Sequence, residues 1–97
     1  MTDPRLIRLS PEDNVAAAAV TLASGETLLV DGRSVTLADD VPTGHKVAVV
    51  PISVGEKVLK YGAPIGSATQ DIQPGEYVHT HNLTSDYLPT YTLDKPP

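Results

Sequence analysis

The sequence contains no cysteine, no tryptophan and no phenylalanine, and only one methionine. Without cysteine there is no disulfide framework, no thiolate nucleophile and no zinc–thiolate site. The same absence suits a reducing compartment, and a cytoplasmic location is expected. Four tyrosines are the only aromatic residues, so the core must be assembled from Val, Leu, Ile and Ala. So thin an aliphatic core suits a compact β-module and leaves room for support from a partner. The chain also lacks basic excess. Its net charge is −5 with the acids spread along its length, and nucleic-acid binding, which needs a basic face, is not expected. An anionic small substrate would have to be met by a local arrangement of Lys, His or metal. No apolar run is long enough to span a bilayer, and the start Met1-Thr2-Asp3-Pro4-Arg5 lacks the apolar stretch of a signal peptide. No membrane association is expected. With 97 residues the chain makes one domain, near the lower end of what buries a self-sufficient core.

What is present is a phrase used three times. Val41-Pro42-Thr43-Gly44-His45-Lys46-Val47, Ile52-Ser53-Val54-Gly55-Glu56-Lys57-Val58 and Ile72-Gln73-Pro74-Gly75-Glu76-Tyr77-Val78 share a β-branched start, a glycine and a closing valine. Each copy reads as a tight turn feeding a strand, with glycine supplying the unusual backbone angle. Beyond the glycine the copies diverge. Where the first carries Ala48 and Val50 and the second Leu59 and Tyr61, the third carries His79 and His81. Side chains two apart leave a strand on the same face, so the two imidazoles are expected side by side. The spacing between copies is irregular, which argues for a layout of strands and turns and against a solenoid.

Elsewhere, Arg5 to Leu9 alternate loosely as a first strand. Ser10-Pro11-Glu12-Asp13 resembles a helix start, with Ser10 as N-cap and acids in the first turn. The alanine-rich run Val15 to Val20 then predicts a short N-terminal helix of two to three turns, stopped by Gly25. Asp13 and Asn14 are read as part of its cap. Asp31-Gly32 predicts a tight hairpin between strands over Glu26–Val30 and Ser34–Leu37. Lys60 to Thr69, with Gly62, Pro64 and Gly66, predicts a sharply bent loop or strand crossover. Residues 84–97 read as an extended C-terminal tail that docks on something else, leaving 1–83 as the folded domain.

His79-Thr80-His81 has a spacing that lets both rings reach one metal from a strand. Two ligands are too few for a transition-metal site, so Asn82 or a group from another chain would supply the rest. A solvated polar pair on an edge strand is the competing reading. His45 follows the glycine of its copy where the others place glutamate, a slot that reads as polar and exposed. Lys46 and Lys60 offer point charges to a carboxylate. The amides around Gly62 and Gly66 suit an oxyanion, although a tight turn explains both glycines equally well. No serine–histidine–acid order, phosphate loop or nucleotide fingerprint is found.

Taken together, Pro42-Thr43-Gly44-His45-Lys46-Val47-Ala48-Val49, Gly55-Glu56 with Val58, Lys60-Tyr61-Gly62, Ile65-Gly66 with Ala68-Thr69, and Gly75-Glu76 with Val78-His79 and His81-Asn82 resemble the N-terminal module of the altronate/galactarate dehydratase family. Pro11, Asp13-Asn14-Val15-Ala16 fit the same pattern, and the resemblance covers residues 5–83. It implies an all-β, small β-clip SAF (antifreeze-like) fold. It also implies a metal-dependent sugar-acid dehydratase that yields a 2-keto-3-deoxy acid, with a divalent metal, Fe2+ or alternatively Mn2+, shared with a large catalytic subunit or domain. Sulfolactate sulfo-lyase has a similar small subunit. On this resemblance His79, His81 and His45 are the catalytic candidates, His79 and His81 the metal ligands, and Lys46, Lys60 and Asn82 the residues for the sugar-acid substrate. The alternatives are a β-clip module that only binds or assembles, the small subunit of a sulfolactate sulfo-lyase, and a lid that closes over substrate.

Overall fold

The computed structural model describes residues 1–85. Nine short strands run in the order β1 (Leu6–Ile7), β2 (Val15–Ala18), β3 (Thr27–Val30), β4 (Arg33–Thr36), β5 (Lys46–Ala48), β6 (Lys57–Lys60), β7 (Ala63–Ala68), β8 (Tyr77–Val78) and β9 (Leu83–Ser85). They form an antiparallel sheet in the order β1-β2-β5-β8, a β3-β4 hairpin and a three-stranded sheet in the order β6-β7-β9. The all-β expectation holds, and the described residues contain no helix.

The predicted N-terminal helix is therefore replaced by strand β2. A turn does form where the capping residues stand: the Asp13 N–H donates to Ser10 O at 3.1 Å. Beyond it the chain extends. Val15 to Ala18 lie between β1 and β5 with all four side chains buried. Ala16 and Ala18 enter one core with Leu22, Leu28, Val35, Leu37 and Val47, while Val15 enters a second with Ala48, Ile52, Val58, Ile72 and Val78. β2 thus serves two cores at once, and alanine lets both come close. A six-residue helix is marginal in water whatever its propensity, so burial of both faces decides the conformation.

Asp13 and Asn14 are buried, and they pin β2 to the β6-β7 hairpin instead of capping a helix. The Asp13 carboxylate accepts the N–H of Tyr61 at 2.8 Å and of Gly62 at 2.7 Å. Asn14 donates to Lys57 O at 2.9 Å and accepts from Leu59 N–H at 2.7 Å. Both residues of the Tyr61-Gly62 turn have positive φ, 56° and 78°, as a type I′ hairpin requires. Asp31-Gly32 makes the same turn between β3 and β4, as expected. Most of the predicted loop after Lys60 is instead strand β7. Pro64 is tolerated there because β9 begins to pair only at Gly66 and the β6 register slips between Val58 and Leu59. The expected boundary at residue 83 falls inside β9; residues 86–97 of the expected tail lie outside the described residues.

The repeated phrase is a repeated turn, and it occurs four times. Besides the three copies already noted, Leu22-Ala23-Ser24-Gly25-Glu26 folds the same way. In each, the residue after glycine donates its N–H to the carbonyl three residues back: Glu26 to Ala23, His45 to Pro42, Glu56 to Ser53 and Glu76 to Gln73. This is a type II turn, whose third position requires φ > 0. The turns associate in pairs through bridges between Leu22 and Val41 and between Ile52 and Ile72. Leucine at both ends of the first copy, where the others have β-branched residues, hides it in the sequence.

Gly75 is the most constrained turn glycine: φ is +93° and an added Cβ would lie 2.2 Å from Thr36 O. At Gly55 φ is +84° but nothing lies within 4 Å. Gly55→Ala is expected to cost about 1 kcal/mol through backbone strain alone, and Gly75→Ala roughly 3 kcal/mol because overpacking adds to strain. Urea unfolding of the two variants measures the difference. Asp13→Ala is expected to cost about 3 kcal/mol in the same assay, since it removes a buried carboxylate that accepts the Tyr61 and Gly62 N–H groups.

Candidate functional site

The type II turns explain why His45 stands apart. In three of them the glutamate after glycine curls back to accept the N–H of the turn's first residue: Glu26 from Ala23 at 2.9 Å, Glu56 from Ser53 at 2.8 Å and Glu76 from Gln73 at 3.0 Å. The first residue of the fourth turn is Pro42, which has no N–H. A carboxylate would find no donor there, and the position is released for another purpose. His45 fills it, and its Nδ1 lies 2.5 Å from the Tyr77 hydroxyl.

Strand pairing brings the third copy alongside. Lys46 pairs with Val78, so one step further His79 stands opposite His45, with ring centroids 5.5 Å apart. The Tyr77 ring stacks on His79 at 5.5 Å and 9° between planes, and lies 5.7 Å from His45. The His81 ring meets Tyr77 at 5.8 Å. Tyr77 is thus the common neighbour of all three histidines. The sequence carried a signal for it: Tyr77 occupies the slot that the other copies give to Lys46, Lys57 and Thr27.

The expected side-by-side arrangement of His79 and His81 on a strand is not found. β8 ends at Val78, and the chain turns over His79 to Asn82, with the Asn82 N–H donating to His79 O at 3.1 Å. The two imidazoles line different grooves. His79 borders one of about 380 Å³ with Lys46, Thr80, Leu83, Thr84 and Ser85. His81 borders one of about 220 Å³ with Asp39, Gln70, Asp71, Glu76, Tyr77 and Asn82. Both histidines are exposed, but each lies at a cleft.

Asn82, expected at the substrate, is turned inward and is 2% exposed. Its Oδ1 accepts the His79 N–H at 3.0 Å and its Nδ2 donates to Tyr77 O at 2.9 Å. It holds the turn that carries His79 against Tyr77. Lys46 is half-buried in β5, and loss of water around its amine lowers its pKa from the usual lysine value, with repulsion from Lys60 adding to the effect. Lys60 itself lies with Nζ 5.0 Å above the Tyr61 ring. The amides of the Gly62 turn, one candidate for an oxyanion, are already taken by Asp13.

Among the described residues no three His, Asp or Glu side chains converge to hold a metal ion. A transition-metal site takes three or four donors, and the described residues do not bring that many together. Nor is any helix in the described residues long and apolar enough to cross a membrane.

Fold and site together define a small all-β module built from paired turn–strand units, with a cluster of three imidazoles, a phenol and a desolvated lysine at its open side. Residues 4–86 match the altronate/galactarate dehydratase SAF domain, and the chain belongs to that family. It is 49% identical over 80 residues to altronate dehydratase of Escherichia coli and 42% identical over 80 residues to altronate dehydratase of Bacillus subtilis. Each alignment takes in 82% of this chain but 16% of the relative, so the chain spans about one sixth of their length. A (2R)-sulfolactate sulfo-lyase subunit alpha from Chromohalobacter salexigens is 44% identical over 45 residues, 46% of this chain and 48% of that subunit. The similarity is thus to segments of larger dehydratases and to a lyase subunit of modest size.

Lys60→Gln should raise the Lys46 pKa only part of the way to its ordinary value, because desolvation, the larger cause, persists. The side-chain Nζ resonance followed against pH reads this directly. With the folded pKa below the unfolded one, the unfolded chain binds the proton more tightly over the interval just below 10.5. Stability therefore rises with pH across that window through Lys46, and Lys46→Met should flatten the rise. Asn82→Ala is expected to cost about 1–3 kcal/mol and to remove the ring-current shift that Tyr77 imposes on His79, visible in the imidazole proton resonances.

Proposed function

We propose that this chain is the SAF component of a sugar-acid dehydratase of the altronate/galactarate type and works beside a larger catalytic chain or domain in the cytoplasm. The observation that carries this reading is the groove that joins Lys46 and His79, with His45 opposite, in a chain of this family. The proposed reaction removes a proton beside a carboxylate and expels a β-hydroxyl to give a 2-keto-3-deoxy acid. It needs a charge to hold the carboxylate, a base, and a donor for the departing oxygen. Lys46, with Lys60 reinforcing the positive field, holds the carboxylate. His79, at the rim of the same groove, exchanges the proton, and His45 faces it across the strands. His81 lies at the neighbouring, acid-lined groove and stands further from this chemistry. The divalent metal, iron or manganese, belongs mainly to the donors of the larger chain.

The test is reconstitution with a large dehydratase subunit and assay against altronate, galactarate and (2R)-sulfolactate. The chain alone is expected to be inactive. The assembled enzyme should lose at least ~100-fold in kcat with His79→Ala, as expected when a proton-transfer group is removed, while the subunits still co-purify. Turnover that survives alanine at both His45 and His79, together with weakened assembly, would replace this reading with that of an assembly module. The exposure of His79 and the absence of a three-donor cluster among the described residues favour that second reading.

A further inference from the structure

None of the roles considered so far includes Tyr77, yet it touches all three histidines. We infer that Tyr77 is a positioning residue that selects the working tautomer of His45, making His45 a hydrogen-bond donor to a substrate oxygen and not a metal ligand. This deepens the proposed function and rests on it.

The Tyr77 hydroxyl lies 2.5 Å from His45 Nδ1. A phenol is a far stronger acid than a neutral imidazole N–H, and imidazole's unprotonated nitrogen is the better acceptor of the two. The hydroxyl therefore donates and Nδ1 accepts. In a neutral ring only one nitrogen carries the proton, so Nε2 is then N–H. An Nε2–H group offers no lone pair to a metal, but it presents a proton to a carboxylate or hydroxyl oxygen. The phenol is itself held on both sides. Its ring stacks on His79, its backbone carbonyl is tied by Asn82, and its backbone N–H donates to the Asp39 carboxylate at 3.1 Å. Pro42 completes the logic: with no turn N–H to satisfy, the His45 ring is free to turn toward Tyr77. The two histidines at this face therefore differ in kind. His45 is fixed by a side-chain hydrogen bond, whereas His79 is placed by stacking and by its backbone.

The assignment can be read in the isolated chain by 1H–15N correlation through two bonds on histidine-labelled protein at about pH 8, where free imidazoles are neutral. The wild-type chain should show His45 in the Nε2–H form, and Tyr77→Phe should move it to the tautomer mixture of a free ring. A dominant Nδ1–H form in the wild type overturns the inference, because Tyr77 would then accept and Nε2 would be open to a metal. In the reconstituted enzyme Tyr77→Phe should lower kcat by up to ~100-fold, the smallest loss expected when a proton-transfer group is removed outright, with little change in KM. Full activity of Tyr77→Phe alongside loss of activity in His79→Ala would overturn the inference while leaving the proposed function standing. Full activity of both would remove both.

Discussion

Four type II turns build this domain, and a backbone N–H at a turn's first position must find a partner. Three meet the need with a glutamate that folds back from the residue after glycine. The fourth has a proline where the donor would be, so its corresponding side chain carries no structural debt. The candidate site lies at the turn whose first position has no N–H to satisfy. His45 turns to Tyr77 for the same reason that Glu26, Glu56 and Glu76 turn inward: a polar group close to the backbone takes the nearest partner its own turn leaves available.

A second constraint joins the parts. The strand order leaves the β6-β7-β9 sheet separate from the β1-β2-β5-β8 sheet, and Asp13 and Asn14 connect them by binding the backbone of the β6-β7 hairpin. A carboxylate with three N–H donors, the third from Ser10 at 3.3 Å, is well solvated without water. Its position also explains why the glycine turn at Tyr61-Gly62 is no anion site for a ligand. The chain's own aspartate already fills that role.

The candidate site inherits its geometry from both constraints. β5 carries Lys46 next to His45, β8 delivers Tyr77, and the turn locked by Asn82 presents His79 opposite. Lys46 is central in its sheet, which strips water from its amine, while the imidazoles remain at the rim. Such an open cluster suits a module whose relatives are segments of much longer dehydratases and a lyase subunit. It presents reactive groups outward, toward a surface that another chain or domain can cover.

Much of this was legible in the sequence. The Asp31-Gly32 hairpin and three of the four turns follow from glycine spacing and strand alternation, because turn geometry is local and leaves a residue signature, whereas the all-β fold and the interest of His45 and Lys46 came with the family resemblance. The family resemblance was equally visible, being carried by motifs in order along the chain. What the tertiary structure alone decided were matters of partnership across distance. Val15 to Ala18 became a strand because two cores claim its faces, against local helix propensity. Asp13, Asn14 and Asn82 turned inward because turns and strands distant or folded back in the chain offered them backbone partners. His79 parted from His81 because β8 ends one residue before the pair, and it met His45 because antiparallel pairing brings residues 45 and 79 face to face. Local sequence specifies which angles a backbone adopts. Which side chains then meet depends on register, and register is settled only when the whole sheet closes.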